Sequence, residues 1–445
     1  MNIEKIREDS APANNVSIYY FPVNNKYLLE DQRGHFIQYP LSQARNLIKL
    51  KLECNTKEAD GLMAKANYES VVDGVIPIGG MKKGLLETEL NQRILVPSEQ
   101  NRIIPQSGDW STLNAIYSGM LGEEQFEYYK GWLKTWLSGF YEYKFVPGQV
   151  LILIGETSSG KTLVKDIHNH IFGGGGQTIK YMTGGTAFNG ELCGVCSLHI
   201  DDKLNELSYQ GKKKLKAECK ELAVAGQARF EFKGQTAFTA SPIQRLLICC
   251  NPNEDSVSVI PDIDESTKNK VSILYCRRKE MPIPTKSASD KKAFWQKIES
   301  EIPAFLNHLI NEHRITEKFE DNLENRMGVR GYHNIKALSY IRNSSNEGKR
   351  LYTMIEVLRE SGNDEWEGSA KDLMDILKEN GVEGNSSPTS LGIFLNQRID
   401  CVDPLIERIG HRRYLIDLRC HEDLELEDEV CVDALVKEPN LLQHN

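Results

Sequence analysis

The sequence has no long apolar run, and few of its cysteines are spaced as a metal-binding pair. Its longest aliphatic stretch covers residues 150–154, far short of the roughly 20 residues that cross a bilayer. Residues 1–15 contain no apolar core, so they do not resemble a secretory signal. Ten cysteines are scattered, and one CxxC pair, Cys193 and Cys196, is a weak zinc signal without a second Cys or His pair. We therefore expect buried, reduced thiols, no membrane partner and a cytoplasmic protein.

An excess of basic residues is also absent. Lys and Arg number 54 against 63 Asp and Glu, which gives a net charge of −9. This balance argues against binding nucleic acid through bulk charge, but a local basic channel stays open because salt screens charges beyond about 10 Å. With 40% hydrophobic and 26% charged residues, fibrous and largely disordered classes are excluded. At roughly 100–200 residues per domain, 445 residues predict two to four domains.

The strongest motif is a glycine-rich loop between a predicted strand and a predicted helix. Residues 155–162 read GETSSGKT and satisfy the pattern G-x-x-x-x-G-K-[ST]. The apolar run 150–154 precedes the loop, and an amphipathic segment, 163–172, follows it. In such a loop, backbone N–H groups surround a phosphate at the positive end of a helix. The context predicts a nucleotide triphosphate site and argues against a chance Gly/Ser-rich turn.

Individual loop residues have expected roles. The ammonium of Lys161 should reach the β- and γ-phosphates, and the hydroxyl of Thr162 should ligate Mg²⁺. His168 and His170 lie two residues apart on the following helix and point to different faces, so they fit packing or surface roles better than a metal site. The residues expected to bind ATP are Gly155, Glu156, Thr157, Ser158, Ser159, Gly160, Lys161 and Thr162.

Polar residues follow two further apolar strands. The run 195–200 ends at Asp201 and Asp202, and the run 245–250 ends at Asn251. One carboxylate, Asp201, is expected in the Mg²⁺ shell, and Asp202 is expected to polarise the attacking water. An amide at the tip of a strand beside the loop strand can contact both the γ-phosphate and that water. The alternative for the acidic pair is a solvated turn or a helix cap.

Between these strands the alternation over residues 228–233, followed by Gly234, predicts a β-hairpin with a basic tip. Arg229 and Lys233 are the candidate DNA contacts on this hairpin. A lysine cluster, 211–216, precedes it. For that cluster a solvated helix face and a functional patch stay equally open.

Taken together, GETSSGKT, GELCGVCSLHIDD and AVAGQARFEFKGQTAFTASPIQRLLICCN resemble a superfamily 3 helicase. The likeness is greatest to the phage and plasmid primase-helicases of the P4/D5-like group, and it covers roughly residues 106–315. It implies an AAA+-related α/β ATPase core that assembles into a ring, usually a hexamer, and translocates on single-stranded DNA. It also implies that the hairpin carrying Lys233 lies in the pore.

The sequence departs from the pattern of this family at one position, the residue that a neighbouring subunit would supply to the bound nucleotide. The family usually carries an arginine in a segment comparable to residues 264–275, where this sequence places Lys270. A lysine supplies positive charge without the bidentate geometry of arginine. Lys270 is our candidate for this role. Lys268, Arg277 or Arg278 are alternatives, slow hydrolysis is another, and a plain surface role for Lys270 stays open.

The C-terminal region fits a winged-helix pattern. Helical segments at 351–358, 369–377 and 388–395 precede a predicted hairpin, 406–418, whose turn carries Arg412 and Arg413. Such a wing suits duplex or origin DNA, with a protein-binding winged helix as the alternative. Residues 16–56 suggest short strands joined by turns, and residues 57–105 are uninformative.

The predicted fold is therefore α/β: an AAA+-related P-loop ATPase core with a helical collar, a C-terminal winged-helix domain and a small N-terminal α+β domain. The predicted divisions are an accessory domain (1–105), the collar (106–145), the ATPase core (146–285), a helical connection (286–345), the winged helix (346–420) and an acidic tail (421–445). About 105 N-terminal residues are too few for a primase. A separate primase or replication initiator is therefore a candidate partner.

The predicted function is an ATP- and Mg²⁺-dependent DNA helicase that acts on single-stranded and forked DNA of a phage, plasmid or other mobile element. A phosphotransferase is the rival from another enzyme class, but the sequence shows neither an acceptor pocket nor an arginine-rich lid. A DNA-associated regulator or defence component that binds ATP and hydrolyses it weakly is the second rival.

Overall fold

An antiparallel sheet and two helices form the N-terminal part of the fold. The computed structural model describes residues 16–88, 91–201, 208–234, 237–257, 260, 263, 266–321, 326–344, 346–360, 362–382, 387–399, 406–410 and 412–418. The first elements are β1 (Ile18–Phe21), β2 (Lys26–Glu30), β3 (Phe36–Tyr39), α1 (Leu41–Leu52) and α2 (Thr56–Glu69). The three strands pair in the order β1-β2-β3.

The two N-terminal helices correct the sequence interpretation. Strands and turns were expected throughout residues 16–56, but residues 41–52 form α1, whose Ala44 and Ile48 are fully buried against β1 and β2. The one-turn spacing of these two side chains presents a single apolar stripe to the sheet, and that packing outweighs the local turn signals. For α2, Asn55 and Glu58 form a capping box, which is a signal present in the sequence.

A second small sheet follows and packs on the predicted hairpin. Its strands are β4 (Gly74–Val75), β5 (Gly84–Glu87) and β6 (Arg93–Val96), in the order β4-β6-β5. The hairpin strands, numbered in chain order, are β10 (Ala228–Phe230) and β11 (Phe238–Ala240). Phe230 and Phe238 stack with ring centres 5.7 Å apart and join a buried cluster with Ile78 and Met81. The N-terminal region is thus continuous with the base of the hairpin.

The long helix α3 (Ser111–Glu142) is broken at Gly122, whose φ is 74°. This break divides the helix into two segments. Trp132 and Trp136 are each 1% exposed. The helix packs against α8 (Ala288–Asn307) and against β13 (Val271–Cys276). Its role as a ring collar stays a prediction.

The core is a five-stranded parallel sheet, which confirms the α/β class. Its remaining strands are β7 (Val150–Gly155), β8 (Gly175–Gln177), β9 (Ser197–Ile200) and β12 (Arg245–Cys250), and the order is β13-β7-β12-β9-β8. Because all neighbours are parallel, the carboxyl ends of the strands lie along one edge. Strand β12, which is followed by Asn251, lies between β7, which leads into the glycine-rich loop, and β9, which is followed by Asp201.

Helices cover both faces of this sheet. The covering helices are α4 (Lys161–Ile171), α5 (Ile179–Met182), α6 (Tyr209–Val224), α7 (Glu254–Val257), α8 and α9 (Ile335–Ser344). Helices α3, α4 and α8 share one buried cluster with the sheet, and a second cluster buries Leu215 and Cys219 of α6 on the other face. A π-helical turn, His308–Glu312, extends α8.

The C-terminal unit has its own core. Its elements are α10 (Asn346–Arg359), β14 (Glu365–Ser369), α11 (Ala370–Glu379), α12 (Pro388–Ile399), β15 (Ile406–Gly410) and β16 (Arg413–Asp417). The antiparallel strands pair in the order β14-β16-β15. Ser369 and Asp372 form a capping box at the start of α11. In the described ranges, no helix combines the length and apolar character that a bilayer crossing requires.

Candidate nucleotide-binding site

The glycine-rich loop joins β7 to α4 in a conformation that its glycines permit. Gly160, the residue before α4, has a φ of 97°, and Ser158 has a φ of 67°. A Cβ atom at Gly155 would collide with the carbonyl oxygen of Cys276 on β13. Glycine at 155 therefore allows the close approach of two strand ends, and glycine at 160 allows the left-handed turn into the helix.

The side chain of Lys161 is buried, being 6% exposed, and its ammonium is held by oxygen atoms. It donates to the carbonyl oxygens of Gly155 at 2.5 Å and Glu156 at 2.9 Å, and to Oδ1 of Asn251 at 3.2 Å. The loop lysine and the polar residue at the tip of β12 are thus in direct contact. A phosphate oxygen can replace these carbonyl acceptors, because the ammonium offers three donors in adjustable directions.

Asp201 follows β9 and is paired with a residue that the sequence analysis missed. Its Oδ2 lies 3.1 Å from Nζ of Lys165 on α4. Burial opposes the charge of Lys165, but the hydrogen bond and the charge of Asp201 raise the pKa of that lysine above its ordinary value. Lys165 lies one helical turn after Lys161, so the four-residue spacing on α4 was the available signal. Asp202, the second predicted carboxylate, lies outside the described residues.

These residues line one cleft of about 1380 Å³ at the carboxyl edge of the sheet. The structure brings together Lys161, Thr162, Asp201 and Asn251 in its wall, as expected for strands that run parallel. The complete lining consists of residues 157–162, Asp201, Cys249, Asn251, residues 278–286 and Asp290. The cleft is large enough for a nucleoside triphosphate.

The segment that follows β13 adds charged residues to the lining of this cleft. Residues 278–286 follow β13 and contribute Arg278, Lys279 and Lys286, all exposed. The described residues of this lining therefore include four cations (Lys161, Arg278, Lys279 and Lys286) and three carboxylates (Asp201, Glu280 and Asp290). This balance suits a ligand with several negative charges.

The oxygen donors of the cleft fit a magnesium ion. Asp201 supplies a carboxylate, Thr162 a hydroxyl, and Mg²⁺ prefers such hard donors while keeping several waters and ligand phosphates. No cluster of three or more His, Cys, Asp or Glu side chains with metal-binding geometry occurs in the described part of the chain. One or two protein ligands are what a site shared with nucleotide phosphates requires.

Lys270 is not in this cleft. It precedes β13, at the end of the sheet opposite the loop, and its Nζ donates to the carbonyl oxygen of Ser266 at 3.0 Å. Six strand residues at about 3.3 Å each put it roughly 20 Å from the cleft edge. Lys270 can therefore meet a nucleotide only if that nucleotide is bound by another copy of the chain.

The candidate DNA contacts lie apart from the cleft. Lys233 and Arg229 are exposed on the hairpin, where Gly234 has a φ of 75° at the tip. Arg412 and Arg413 are exposed at the β15–β16 turn of the C-terminal unit. Arg413 pairs with Glu367 at 3.0 Å. The sequence-predicted residues thus form one cleft and two separate basic positions.

The CxxC cysteines, His168 and the lysine cluster make contacts outside the cleft. Cys193 and Cys196 are free and fully buried, and burial raises the pKa of both thiols. His168 is fully buried, with Nε2 2.7 Å from the hydroxyl of Tyr129, and burial lowers its pKa to about 3. In the lysine cluster, Nζ of Lys214 lies 4.6 Å from the ring centre of Tyr181.

Comparison with known proteins supports the fold. No family model matches the chain, and no curated protein matches it. Two apo structures of the NrS-1 C-terminal region are similar to it, with TM-scores of 0.51 and 0.50 and 12% identity over 91% of this chain and 96% and 97% of those chains. A structure described as SCCmec type IV Cch, an active helicase, aligns at 12% identity over 92% of this chain and 94% of its own, but its TM-score of 0.32 adds nothing. The chain therefore has the overall fold of the NrS-1 C-terminal region.

Proposed function

We propose that this protein is an ATP-dependent, ring-forming DNA helicase of superfamily 3 type that translocates on single-stranded DNA. The observation that carries the proposal is the contact between Lys161 and Asn251 in a cleft that also contains Asp201. Three chain segments with the order and residue types of a phosphate-driven motor meet at one edge of a parallel sheet. The sequence resemblance to superfamily 3 supports the same assignment.

In this proposal the loop residues bind the phosphates of ATP, with Lys161 as the main cation. Thr162 and Asp201 would hold Mg²⁺, which neutralises phosphate charge when bound. Asn251, at the tip of β12, contacts Lys161 and lines the cleft in which the terminal phosphate would lie. From this position its amide can orient an attacking water. Catalysis of this kind consists mainly of placement and charge neutralisation.

The hairpin would couple the nucleotide to DNA. Its base is held by stacked Phe230 and Phe238, while Lys233 at the tip is exposed. A rigid base with a cation at its tip can contact one phosphate of a single strand in the pore of a ring. The C-terminal unit would bind duplex DNA through Arg412, and residues 16–105 would form an accessory domain beside the hairpin.

Hydrolysis of ATP with and without single-stranded DNA tests this proposal. We expect Lys161→Ala to lower turnover by about 100-fold or more, because a phosphate-binding cation in a low-dielectric site is lost. Lys233→Ala should remove the stimulation by DNA and the unwinding of a forked duplex. Lys292→Ala, on an exposed position of α8, is the matched control. If Lys233→Ala lost as much DNA-independent ATP turnover as Lys161→Ala, this division of roles would be contradicted.

The second candidate is a DNA-associated regulator or defence component that binds ATP and hydrolyses it weakly. The observation that favours it is Lys270, a lysine where the family usually places arginine, bonded to its own chain at Ser266. Unwinding of a forked duplex separates the motor from this switch. Stimulation of turnover by DNA separates the motor from a phosphotransferase.

A further inference from the structure

A second cavity, of about 130 Å³, lies where α6 leads into the hairpin. Helix α6 ends at Val224 and β10 begins at Ala228, so three residues make the connection between them. These residues, 225–227, line the cavity together with parts of α5, α6 and β10. In the described part of the chain, this cavity and the nucleotide cleft have no lining residue in common.

The larger part of the cavity wall is apolar. The apolar side chains that line it are Phe145, Met182, Leu192, Leu198, Leu222 and Phe230. A cavity of about 150 Å³ with walls of this kind holds a benzene molecule. The cavity beside α6 therefore has room for one six-membered ring.

Two amides of the lining are already bonded to the backbone. Nδ2 of Asn189 donates to the carbonyl oxygen of Arg229 at 2.9 Å, and its Oδ1 accepts the backbone N–H of Glu231 at 2.8 Å. Nε2 of Gln244 donates to the carbonyl oxygen of Val195 at 2.8 Å. These bonds hold the wall in place, so the charged side chains decide which ligand fits.

Two carboxylates on α6 also line the cavity. Glu218 and Glu221 are three residues apart and therefore lie on the same side of the helix, whereas Arg229 is the single cation in the described lining. Burial raises the pKa of Glu218, the charge of Lys214 opposes that shift, and the charge of Glu221 adds to it. A cation in the cavity would relieve the repulsion between the two carboxylates and replace the water that Glu218 has lost.

We propose that this cavity binds a small organic cation that carries one flat ring, and that the bound ligand holds the hairpin against α6. The ring would lie among the apolar side chains, and an amidinium or ammonium group would bond to Glu218. Because both α6 and β10 supply parts of the wall, a ligand that contacts both limits movement between them. The binding is independent of the proposed function, whereas its consequence for DNA rests on that function.

The first test compares benzamidine with benzamide, titrated calorimetrically into the full chain. Both molecules carry one flat ring and have nearly the same shape, but only benzamidine is a cation. We expect benzamidine to bind about tenfold more tightly, because its amidinium can form charge-assisted bonds with a carboxylate. Equal affinities for the two molecules, or no binding of benzamidine, would overturn the inference.

The second test locates the binding with two cavity variants and one control. Glu218→Gln keeps the shape of the side chain and should lower benzamidine affinity by about tenfold, with little change for benzamide. Leu222→Trp should fill the cavity and prevent the binding of both molecules. Glu317→Gln, at an exposed carboxylate outside the cavity, is the control and should bind both as the wild type does. Unchanged benzamidine affinity in Glu218→Gln would overturn the inference even if Leu222→Trp did not fold.

Hydrogen exchange tests the effect on the hairpin. Saturating benzamidine should slow exchange over residues 225–230 about fivefold, because local opening must then release the ligand. Unchanged exchange there would overturn the inference that the ligand holds the hairpin. Displacement of benzamidine by an oligo(dC) strand would assign the cavity to DNA and overturn a small-molecule site. Absence of ATP turnover in a chain that binds benzamidine as expected would overturn the proposed function and leave the cavity's ligand unchanged.

Discussion

The ammonium of Lys165 and the carboxylate of Asp201 form an ion pair of 3.1 Å between α4 and the end of β9. The side chains are 15% and 31% exposed, so the pair is partly shielded from solvent. Nδ1 of His199, the residue two positions before Asp201, is buried without a hydrogen-bond partner in the described part of the chain. A carboxylate expected to ligate Mg²⁺ is therefore already neutralised by a lysine of its own chain.

We predict that Lys165→Met strengthens binding of Mn²⁺, used as a probe for Mg²⁺, by about three- to tenfold in the presence of ADP. The physical reason is that the metal and Lys165 compete for the same carboxylate charge. Titration followed by electron paramagnetic resonance measures the free metal directly. Lys165→Arg keeps the cation and is the control. Weaker metal binding in Lys165→Met would instead show that the lysine positions Asp201 for the ion.

The packing of the hairpin base leads to a second prediction. Phe238 is 3% exposed and stacks on Phe230, so Phe238→Ala removes a large buried ring. We expect this change to destabilise the hairpin and the β4–β6 sheet by about 3–5 kcal/mol, and Phe238→Leu by less. Hydrogen exchange over residues 228–240 measures the effect.

The same variant tests whether the tip depends on its base. DNA stimulation of turnover should fall in Phe238→Ala although Phe238 is buried and does not reach DNA. Unchanged exchange of residues 228–240 together with lost stimulation would contradict a structural role for the stacked pair. Normal stimulation with fast exchange would contradict the need for a rigid base.

Short segments of the sequence were enough to predict elements that form the wall of the cleft. The strand 245–250 was predicted with the bounds that β12 has, and the loop 155–162 carries its own signature. Asp201 and Asn251 were predicted to converge because polar residues at the carboxyl ends of parallel strands share an edge. Such inferences need only short segments and one general rule of sheet geometry.

Residues that reach the cleft only through the pairing of neighbouring strands could not be predicted from short segments. Arg278 is beside the loop only because β13 pairs with β7 in a register that sets Cys276 opposite Gly155. Strand order and register are properties of the assembled sheet, and no short segment encodes them. Helix α1 was missed for a related reason: its apolar stripe is recognisable only once the sheet that it covers is known.

The buried histidine on α4 gives a prediction about acid stability. Burial lowers the pKa of His168 to about 3, against an ordinary value near 6.5. Below pH 6.5 the unfolded chain binds a proton that the folded chain does not, so the free energy of unfolding falls as the pH drops from 6.5 toward 3. The slope from one such group is at most about 1.4 kcal/mol per pH unit.

We therefore expect His168→Phe to lose less stability than the wild type between pH 7.5 and pH 5. The phenyl ring suits the surrounding Tyr129, Trp132 and Trp136, and urea unfolding at the two pH values gives the comparison. His313, whose pKa burial lowers to about 4, keeps part of the acid sensitivity in place. His170→Phe, on the exposed side of α4, is the control. An identical pH dependence in His168→Phe and the wild type would contradict the assignment.

The C-terminal unit gives a prediction that separates two neighbouring arginines. Residues 346–418 contain nine Lys and Arg against fourteen Asp and Glu, so the proposed duplex binding there would depend on few cations. Arg413 is paired with Glu367, whereas no ion pair of Arg412 occurs in the described residues. We expect Arg412→Ala to weaken duplex binding uniformly across sequences and to reduce the salt slope by about one.

Arg413→Ala should have a smaller effect than Arg412→Ala, because its phosphate contact would require separation from Glu367. Glu367→Gln should then strengthen duplex binding by freeing Arg413. Fluorescence anisotropy at several salt concentrations measures all three variants on one duplex. If Arg412→Ala and Glu367→Gln both leave affinity and slope unchanged, the acidic unit does not bind DNA through its wing, and a protein partner becomes the better assignment for that surface.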